Sequence, residues 1–293
     1  MKNIKPLKEL TFKDNFMFGA VMLDEERCRK LLEIVLNIDI AKVEVSREKS
    51  IVYNPGYKGV RLDIFAKDGQ NTRYNVEMQA FQKRDLGKRA RYYHSQIDME
   101  MLLAGQEYKE ISKSYVIFIC DFDPFGKERY RYTFRQSCWE DGDTEYDDGS
   151  TTIFLSTLGK SESQISEKLC KFLKFVHADL EESKQDFGDE FVRSLQKAVE
   201  EVKLSRDMEE RYMTWGLAFY DAREEGREEG REEGRAEGRS ALKTTLMDIV
   251  SQKGVVTEQI RKRIACEDSF ETLKAWINLA VKSTTIEQFE SNM

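Results

Sequence analysis

The stretch of sequence that decides the fold is GVRLDIFAKDGQNTRYNVEMQAF, residues 59–81. Two runs in which apolar and polar residues alternate flank the turn-forming segment DGQN (68–71), a pattern typical of a β-hairpin. Because side chains of a strand alternate between its faces, Asp63 and Glu77 share one face of this hairpin. A turn centred on Gln70 places these two acids opposite each other, with Cβ atoms about 5 Å apart.

The paired acids, Asp63 and Glu77, suggest a metal site. Two carboxylates placed opposite each other destabilise a sheet unless something compensates for their repulsion. A divalent cation does so, and Mg²⁺ is typically bound through one or two carboxylates. Gln79 lies on the same face and completes the candidate site. The pattern also fits two solvated strand carboxylates, and a one-residue slip in register would send them to different faces.

The rest of the front half alternates between helical and strand patterns. Apolar residues recur at helical spacing in some segments and at every second position in others. We predict, in chain order, a helix over 10–36, a strand from 43, a turn at 54–56, a helix over 84–106, and strands over 114–120, 127–139 and 151–155. This order of elements indicates a mixed α/β core.

The rear of the chain is predicted to be mostly helical and contains a charged repeat. The repeat reads REEGREEGREEGRAEGR and favours either a solvated spacer helix or a helix whose glycines let a second helix approach closely. The second alternative would make an oligomer contact. We predict four parts: a core over 1–160, a helical extension over 161–222, the repeat helix or linker over 223–239, and a small helical module over 240–293.

Composition excludes several classes of protein. The chain has 293 residues, of which 40% are hydrophobic and 34% charged, as in a globular protein. No apolar run approaches the ~20 residues of a membrane helix, and the first residues lack the apolar region of a secretory signal. Five cysteines without a CxxC pair argue against disulfides and zinc fingers and favour the reducing cytoplasm. The two histidines are too few for a His-rich metal site.

A basic segment follows the hairpin and is a candidate DNA contact. The net charge is −7, but residues 1–138 carry an excess of Lys and Arg, whereas residues 139–293 are strongly acidic. Basic residues beside a metal site suit the phosphate backbone of a nucleic acid, although the same pattern also fits a solvated helix face. The candidate DNA-binding residues are Lys83, Arg84, Lys88, Arg89, Arg91, Tyr93 and Gln96.

At these residues the sequence resembles the PD-(D/E)XK nuclease superfamily, and within it the Rpn family of recombination-promoting nucleases and transposases. The charged repeat is similar to the tail that many members carry. The matching stretches are LTFKDNFMFGAVM (10–22), GVRLDIFAKD (59–68), YNVEMQAFQKRDLGKRARYYHSQI (74–97) and KSYVIFICDFDPFGKERYRYTF (113–134).

The resemblance implies a restriction-endonuclease-like mixed β-sheet core flanked by helices, with a helical C-terminal extension. It implies a metal-dependent DNA endonuclease, a hydrolase linked to recombination, mobile elements or phage defence. Mg²⁺ is the expected cofactor, with Mn²⁺ as an alternative, and DNA is the expected partner. No membrane partner is expected, and a homodimer is the default oligomer.

The resemblance also assigns roles to individual residues. Asp63 and Glu77 take the metal-binding acidic positions, Met78 offers its backbone carbonyl to the metal, and Asp14 matches an acid on the first helix. Gln79 stands where the superfamily usually has lysine, and glutamine supplies a hydrogen bond but no charge. Two alternatives to the nuclease therefore stay open: a weak or inactive DNA-binding module, and an oligomeric protein organised by the repeat helix.

Overall fold

The computed structural model describes the backbone of residues 5–51 and 60–293. Side chains are described over the same ranges except at 47–51, 60–61, 219–223, 225 and 229. The turn predicted at 54–56 lies outside these residues. The chain divides into two compact units, Met1–Tyr212 and Met213–Met293. The domain boundaries predicted from the sequence at 160, 222 and 239 stay predictions.

The first unit begins with two short helices where the sequence predicts one. A 3₁₀ turn precedes α1 (Asn15–Met22) and α2 (Glu25–Leu36). The break falls at Asp24, whose side chain accepts a hydrogen bond from the Arg27 backbone N–H at 2.9 Å and thereby caps α2. The single predicted helix overlooked the charged residues 24–27, which interrupt the apolar spacing between the buried α1 and the apolar face of α2.

A six-stranded mixed sheet forms the centre of this unit, in the order β1-β2-β3-β4-β6-β5. The pairs β3–β4 and β4–β6 are parallel, and the other neighbouring pairs are antiparallel. Helices flank the sheet, which confirms the predicted fold class. The strands are β1 (Val43–Ile51), β2 (Val60–Asp68), β3 (Arg73–Gln79), β4 (Ser114–Cys120), β5 (Arg131–Phe134) and β6 (Ser150–Ser156).

The hairpin of β2 and β3 has the predicted register. Ile64 lies opposite Val76, and Phe65 lies opposite Asn75. The Asp68 side chain fixes the connecting turn, because its Oδ1 accepts the backbone N–H groups of Gln70 and Thr72 at 2.9 Å each. This local closure sets the pairing of the two strands and therefore decides which residues face each other further along them.

The fifth strand is much shorter than the predicted strand over 127–139. Asp123 organises the preceding segment into a turn, with Oδ2 accepting the Glu128 N–H at 2.7 Å and Oδ1 accepting the Tyr132 hydroxyl at 2.7 Å. Glu128 adopts a positive φ of 57°, which is incompatible with a continuous strand. The alternating basic and aromatic residues therefore begin in a turn and only then enter β5.

Helices bury both faces of the sheet. On one face α3 (Leu86–Met101) packs with Val116 and Phe118 of β4. On the other face lie Ile64, Val76 and Ile117, all nearly inaccessible, and α1 packs against β2 and β3. Two more helices, α4 (Glu167–His177) and α5 (Glu190–Leu204), complete the unit. Burial on both faces explains the continuous apolar runs of the central strands.

The second unit is helical. It contains all but the first turns of the long helix α6 (Arg206–Ser251), in which the whole charged repeat lies. The helices α7 (Glu258–Cys266), α8 (Phe270–Lys282) and α9 (Ile286–Asn292) follow. Their core includes Leu246, Leu273 and Phe289. Across the described chain, no helix combines the length and the apolar character that a membrane crossing requires.

Candidate active site

Asp63 and Glu77 lie where β2 and β3 stop pairing through their backbones. The described ladder of this hairpin ends at Ile64 and Val76. Beyond it, the Asp63 backbone N–H donates to Glu77 Oε1 at 3.2 Å, and the Met78 backbone N–H donates to Asp63 Oδ2 at 3.1 Å. Each carboxylate thus accepts a backbone N–H from the opposite strand, Glu77 from Asp63 and Asp63 from Met78, which holds both carboxylates between the separating strands.

Glu77 is a buried carboxylate with unusual electrostatics. Its side chain is 2% exposed, and Oε1 also accepts a hydrogen bond from Asn75 Nδ2 at 3.2 Å. Burial, and then the nearby charge of Asp63, raise the pKa of Glu77 well above its usual range, although hydrogen bonds and Arg89 partly offset this effect. The site therefore favours a cation or a proton at this position.

Arg89 of α3 supplies a positive charge beside the two acids. One guanidinium nitrogen donates to Gln79 Oε1 at 3.3 Å, and the other contacts Glu77 Oε2 at 3.4 Å and donates to the Tyr93 hydroxyl at 2.7 Å. The guanidinium carbon lies 5.4 Å from the Tyr93 ring centroid and 5.9 Å from that of Phe118. This stacking fixes the group over the sheet.

The structure therefore brings Asp63, Glu77, Gln79 and Arg89 together. Arg89 is predicted from the sequence only as a DNA contact, and its link to Glu77 is not predicted. The available signal was the spacing of Arg89 and Tyr93, four residues apart on one helical face. The decisive fact, that this face packs on the row of Glu77 and Phe118, depends on tertiary structure.

The other predicted site residues have different surroundings. Asp14 precedes α1, and its Oδ2 accepts the Thr11 backbone N–H at 2.7 Å and pairs with Lys5 Nζ at 3.3 Å. These contacts tie it to the N-terminal segment, and its role at the metal site stays a prediction. Met78 contributes its backbone N–H to Asp63, and the role of its carbonyl stays a prediction.

Apart from the half-buried Arg89, the predicted DNA-binding residues divide into an exposed and a buried group. Tyr93 and Gln96 are 7% and 8% exposed, so they lie between α3 and the sheet. Because they are buried, these two residues are suited to position the helix and Arg89 and not to contact a large ligand directly. The exposed residues are Lys83, Arg84, Lys88 and Arg91.

A polar cluster that is not predicted from the sequence lies where β4 and β6 end. Asp121 accepts hydrogen bonds from Lys13 Nζ at 2.7 Å and from Thr157 Oγ1 at 2.9 Å, and it pairs with His177 Nδ1 at 2.7 Å. The Asp121 backbone N–H donates to the Gln79 carbonyl at 3.0 Å. The cluster thus links the N-terminal segment and α4 to the end of β3.

The donors at Asp63 and Glu77 suit a divalent cation. Both offer carboxylate oxygens, and the buried Asn75 Oδ1 beside them has no hydrogen-bond partner in the described structure. Hard cations such as Mg²⁺ take oxygen ligands and usually keep several waters. Among the residues that the structure describes, no group of three or more His, Cys, Asp or Glu could hold a metal. A cation here would therefore draw its remaining ligands from backbone, water and substrate.

Comparison with known proteins identifies the family. The sequence model of the PD-(D/E)XK nuclease family transposases matches residues 6–225. The chain belongs to this family. No curated protein and no solved structure matches it. Membership supports a nuclease or transposase function, a divalent metal as cofactor and DNA as substrate. The match includes the whole hairpin, α3 and the remaining strands of the sheet.

Proposed function

We propose that this protein is a metal-dependent DNA endonuclease that hydrolyses phosphodiester bonds at Asp63 and Glu77. The observation that carries the proposal is the pair of carboxylates held between two separating strands, with the Arg89 guanidinium beside them. Membership of a nuclease family supports the same conclusion. Recombination of mobile DNA is the biological setting that we infer from the family's description as transposases.

The chain's own residues have separate tasks in this proposal. Asp63 and Glu77 hold the cation, which would lower the pKa of a bound water and polarise the phosphate. Arg89 is placed to bind a non-bridging phosphate oxygen, since a guanidinium matches phosphate geometry. Gln79 accepts a hydrogen bond from Arg89 and so orients it, which leaves its amide N–H₂ available to a water or a phosphate oxygen.

Binding of the DNA backbone is assigned to the exposed basic residues of α3 and of the segment before it. Lys83, Arg84 and Arg91 are exposed, and Lys88 is exposed while pairing with Asp85 at 3.2 Å. Such contacts recognise phosphate and carry no sequence information. We also infer a cytoplasmic protein, because all five cysteines are free thiols.

Plasmid cleavage by the purified protein tests this proposal. We expect nicking or linearisation with Mg²⁺ or Mn²⁺, none with EDTA, and loss of cleavage in Asp63→Asn and in Glu77→Gln. Glu44→Gln is the matched control, since Glu44 is an exposed carboxylate on the neighbouring strand β1. A folded protein that cleaves under no metal, or variants that cleave as fast as wild type, would contradict the proposal.

The alternative of a DNA-binding module without cleavage has one observation in its favour. Arg89 already pairs with Glu77, so an internal cation partly neutralises the site. On this alternative the wild-type protein binds DNA in a salt-sensitive manner, as basic surfaces do, and cleavage is absent under all metals. The same plasmid experiment, with a binding assay beside it, separates the two functions.

A further inference from the structure

A pocket lies on the sheet face that α3 covers, next to the candidate active site. Its volume is about 940 Å³, which falls in the range of small-molecule sites. The described lining comes from α3, from β6, from the end of β5 with residues 135–136, from Phe125 in the turn before β5, and from the loops at 108–113 and 147–149. Asp63, Glu77 and Gln79 are absent from this lining, so the pocket is a separate feature of the same face.

The register of the sheet gives the distance between the two sites. Glu77 lies beside Phe118, and Phe118 lies beside Phe154, which lines the pocket. Neighbouring strands are about 4.8 Å apart, so Phe154 lies about 10 Å from Glu77 across the sheet. The Phe118 and Phe154 rings stack with centroids 5.0 Å apart, so buried aromatic side chains lie between the pocket and Glu77.

Exposed aromatic rings form one wall of the pocket. The Phe125 centroid lies 5.1 Å from that of Phe134 and 5.1 Å from that of Phe154. Phe125 remains 40% exposed and Phe134 46% exposed. Such rings expose flat apolar surface to whatever enters the pocket, and nucleobases stack on surfaces of this kind regardless of their sequence.

The α3 side of the pocket contains small residues and a histidine whose two ring nitrogens both have hydrogen-bond partners. Gly87 and Ala90 leave room there. The His94 ring nitrogens contact Ser114 Oγ at 2.8 Å and Thr152 Oγ1 at 3.1 Å. Burial lowers the pKa of His94 to about 4, so the ring is neutral at pH 7 and both of its nitrogens are occupied. His94 is therefore part of the wall and serves neither as a base nor as a metal ligand.

The rim of the pocket carries charges of both signs. Carboxylates accept hydrogen bonds from exocyclic amines, whereas cations bind phosphate. The acids do not form a metal cluster in the described structure, and the cations outnumber them by one. The charged lining residues are Arg91, Lys109, Lys113, Arg135, Asp98, Asp147 and Asp148.

We propose that this pocket binds a nucleotide unit, with the base against Phe125 and Phe134 and the phosphate at the cationic residues of the rim. Two sources share this chemistry. A free mononucleotide would act as a separate ligand. A nucleotide of a bound DNA strand would occupy the pocket while another part of the strand lies at the active site. Only this second source depends on the proposed endonuclease function.

Calorimetric titration of the full chain with dAMP and dGMP in EDTA tests the first source. 2-Deoxyribose 5-phosphate, which lacks the base, is the control ligand. We expect saturable binding of both nucleotides, with the dissociation constant rising roughly ten-fold or more in Phe134→Leu and unchanged in Phe134→Tyr. Leu retains apolar volume without a ring, which separates stacking from packing. Trp139→Ala, at an exposed aromatic outside the lining, should bind like wild type.

A set of single-stranded oligonucleotides, each with one abasic position, tests the second source, again in EDTA. Wild type should lose roughly ten-fold affinity when one particular base is missing, and Phe134→Leu should not distinguish the oligonucleotides. The proposal is overturned if neither free nucleotides nor single bases are recognised. It is also overturned if 2-deoxyribose 5-phosphate binds equally well or if Phe134→Leu changes nothing.

The two proposals fail separately. Plasmid cleavage by a protein that recognises neither nucleotides nor single bases would remove only the pocket assignment. Nucleotide binding by a protein that never cleaves DNA would remove only the endonuclease.

Discussion

At the scale of single residues, the main feature of the site is the positive charge of Arg89 next to Gln79. A lysine at that position would bring a positive charge, which glutamine lacks. Arg89 brings one from α3, and its guanidinium contacts both Gln79 and Glu77. The charge is therefore provided by a different element of the fold. A measurement of cleavage can show whether Arg89 replaces a lysine at position 79 functionally.

Replacing Arg89 tests this role. We expect Arg89→Gln to lower the rate of DNA cleavage by roughly 100-fold, because removing a charged donor from an active site typically costs that much. Arg89→Lys should recover little, since an ammonium cannot contact Gln79, Glu77 and Tyr93 through a planar fork. Single-turnover kinetics measure the rate, and Arg91→Gln, an exposed neighbour on α3, is the control. Equal losses in Arg91→Gln would assign Arg89 to general DNA binding.

The buried Glu77 carboxyl predicts a pH dependence of stability. Its folded-state pKa lies above its ordinary value of 4.5, so the folded protein binds this proton more tightly than the unfolded chain. The free energy of unfolding should therefore fall as pH rises above 4.5 in metal-free protein. Urea unfolding of wild type and Glu77→Gln across pH measures the difference. Parallel curves for the two proteins would contradict the assignment.

At the scale of elements, the hairpin was predictable and its surroundings were less so. The DGQN turn and the alternation on both sides determine the register locally, so Asp63 and Glu77 could be paired from the sequence. The break between α1 and α2 was missed, because the apolar positions before and after it fit one helical rhythm, although the charged residues 24–27 separate them. The shortness of β5 depends on Asp123 and on the positive φ of Glu128, which are properties of a turn.

Gly159 lies where the segment after β6 packs closely against the segment before β5. A Cβ at Gly159 would lie 2.3 Å from Tyr130 Cγ and 2.6 Å from its backbone nitrogen. We expect Gly159→Ala to lower the free energy of unfolding by roughly 1–3 kcal/mol, as overpacking does. Gly142→Ala is the control, since nothing lies within 4 Å of the added atom. If urea unfolding gives both variants the free energy of unfolding of wild type, the packing of Gly159 against Tyr130 is loose.

At the scale of the whole molecule, each unit has its own organisation. The first unit contains the candidate site, and the family match extends to residue 225, within the charged repeat. In the second unit, a Cβ at Gly238 would lie 3.2 Å from the Phe270 ring, so this glycine of the repeat packs against α8. Gly226, Gly230 and Gly234 have open space around them. The homodimer stays a prediction.

Metal binding should be detectable without DNA. A cation that binds only the folded protein stabilises it according to its concentration relative to the dissociation constant. We expect Mg²⁺ or Mn²⁺ to raise the midpoint of thermal unfolding of wild type and to leave Glu77→Gln unchanged. Differential scanning calorimetry measures this, and Glu44→Gln should respond like wild type. An equal rise in Glu77→Gln would place the cation elsewhere.

The most direct test of the account is the single-turnover cleavage rate of labelled DNA in Mg²⁺, measured for wild type, Glu77→Gln and Glu44→Gln. We expect metal-dependent cleavage by wild type and by Glu44→Gln, and a rate at least about 100-fold lower for Glu77→Gln. Cleavage by Glu77→Gln at the wild-type rate, or by wild type in the presence of EDTA, would contradict it.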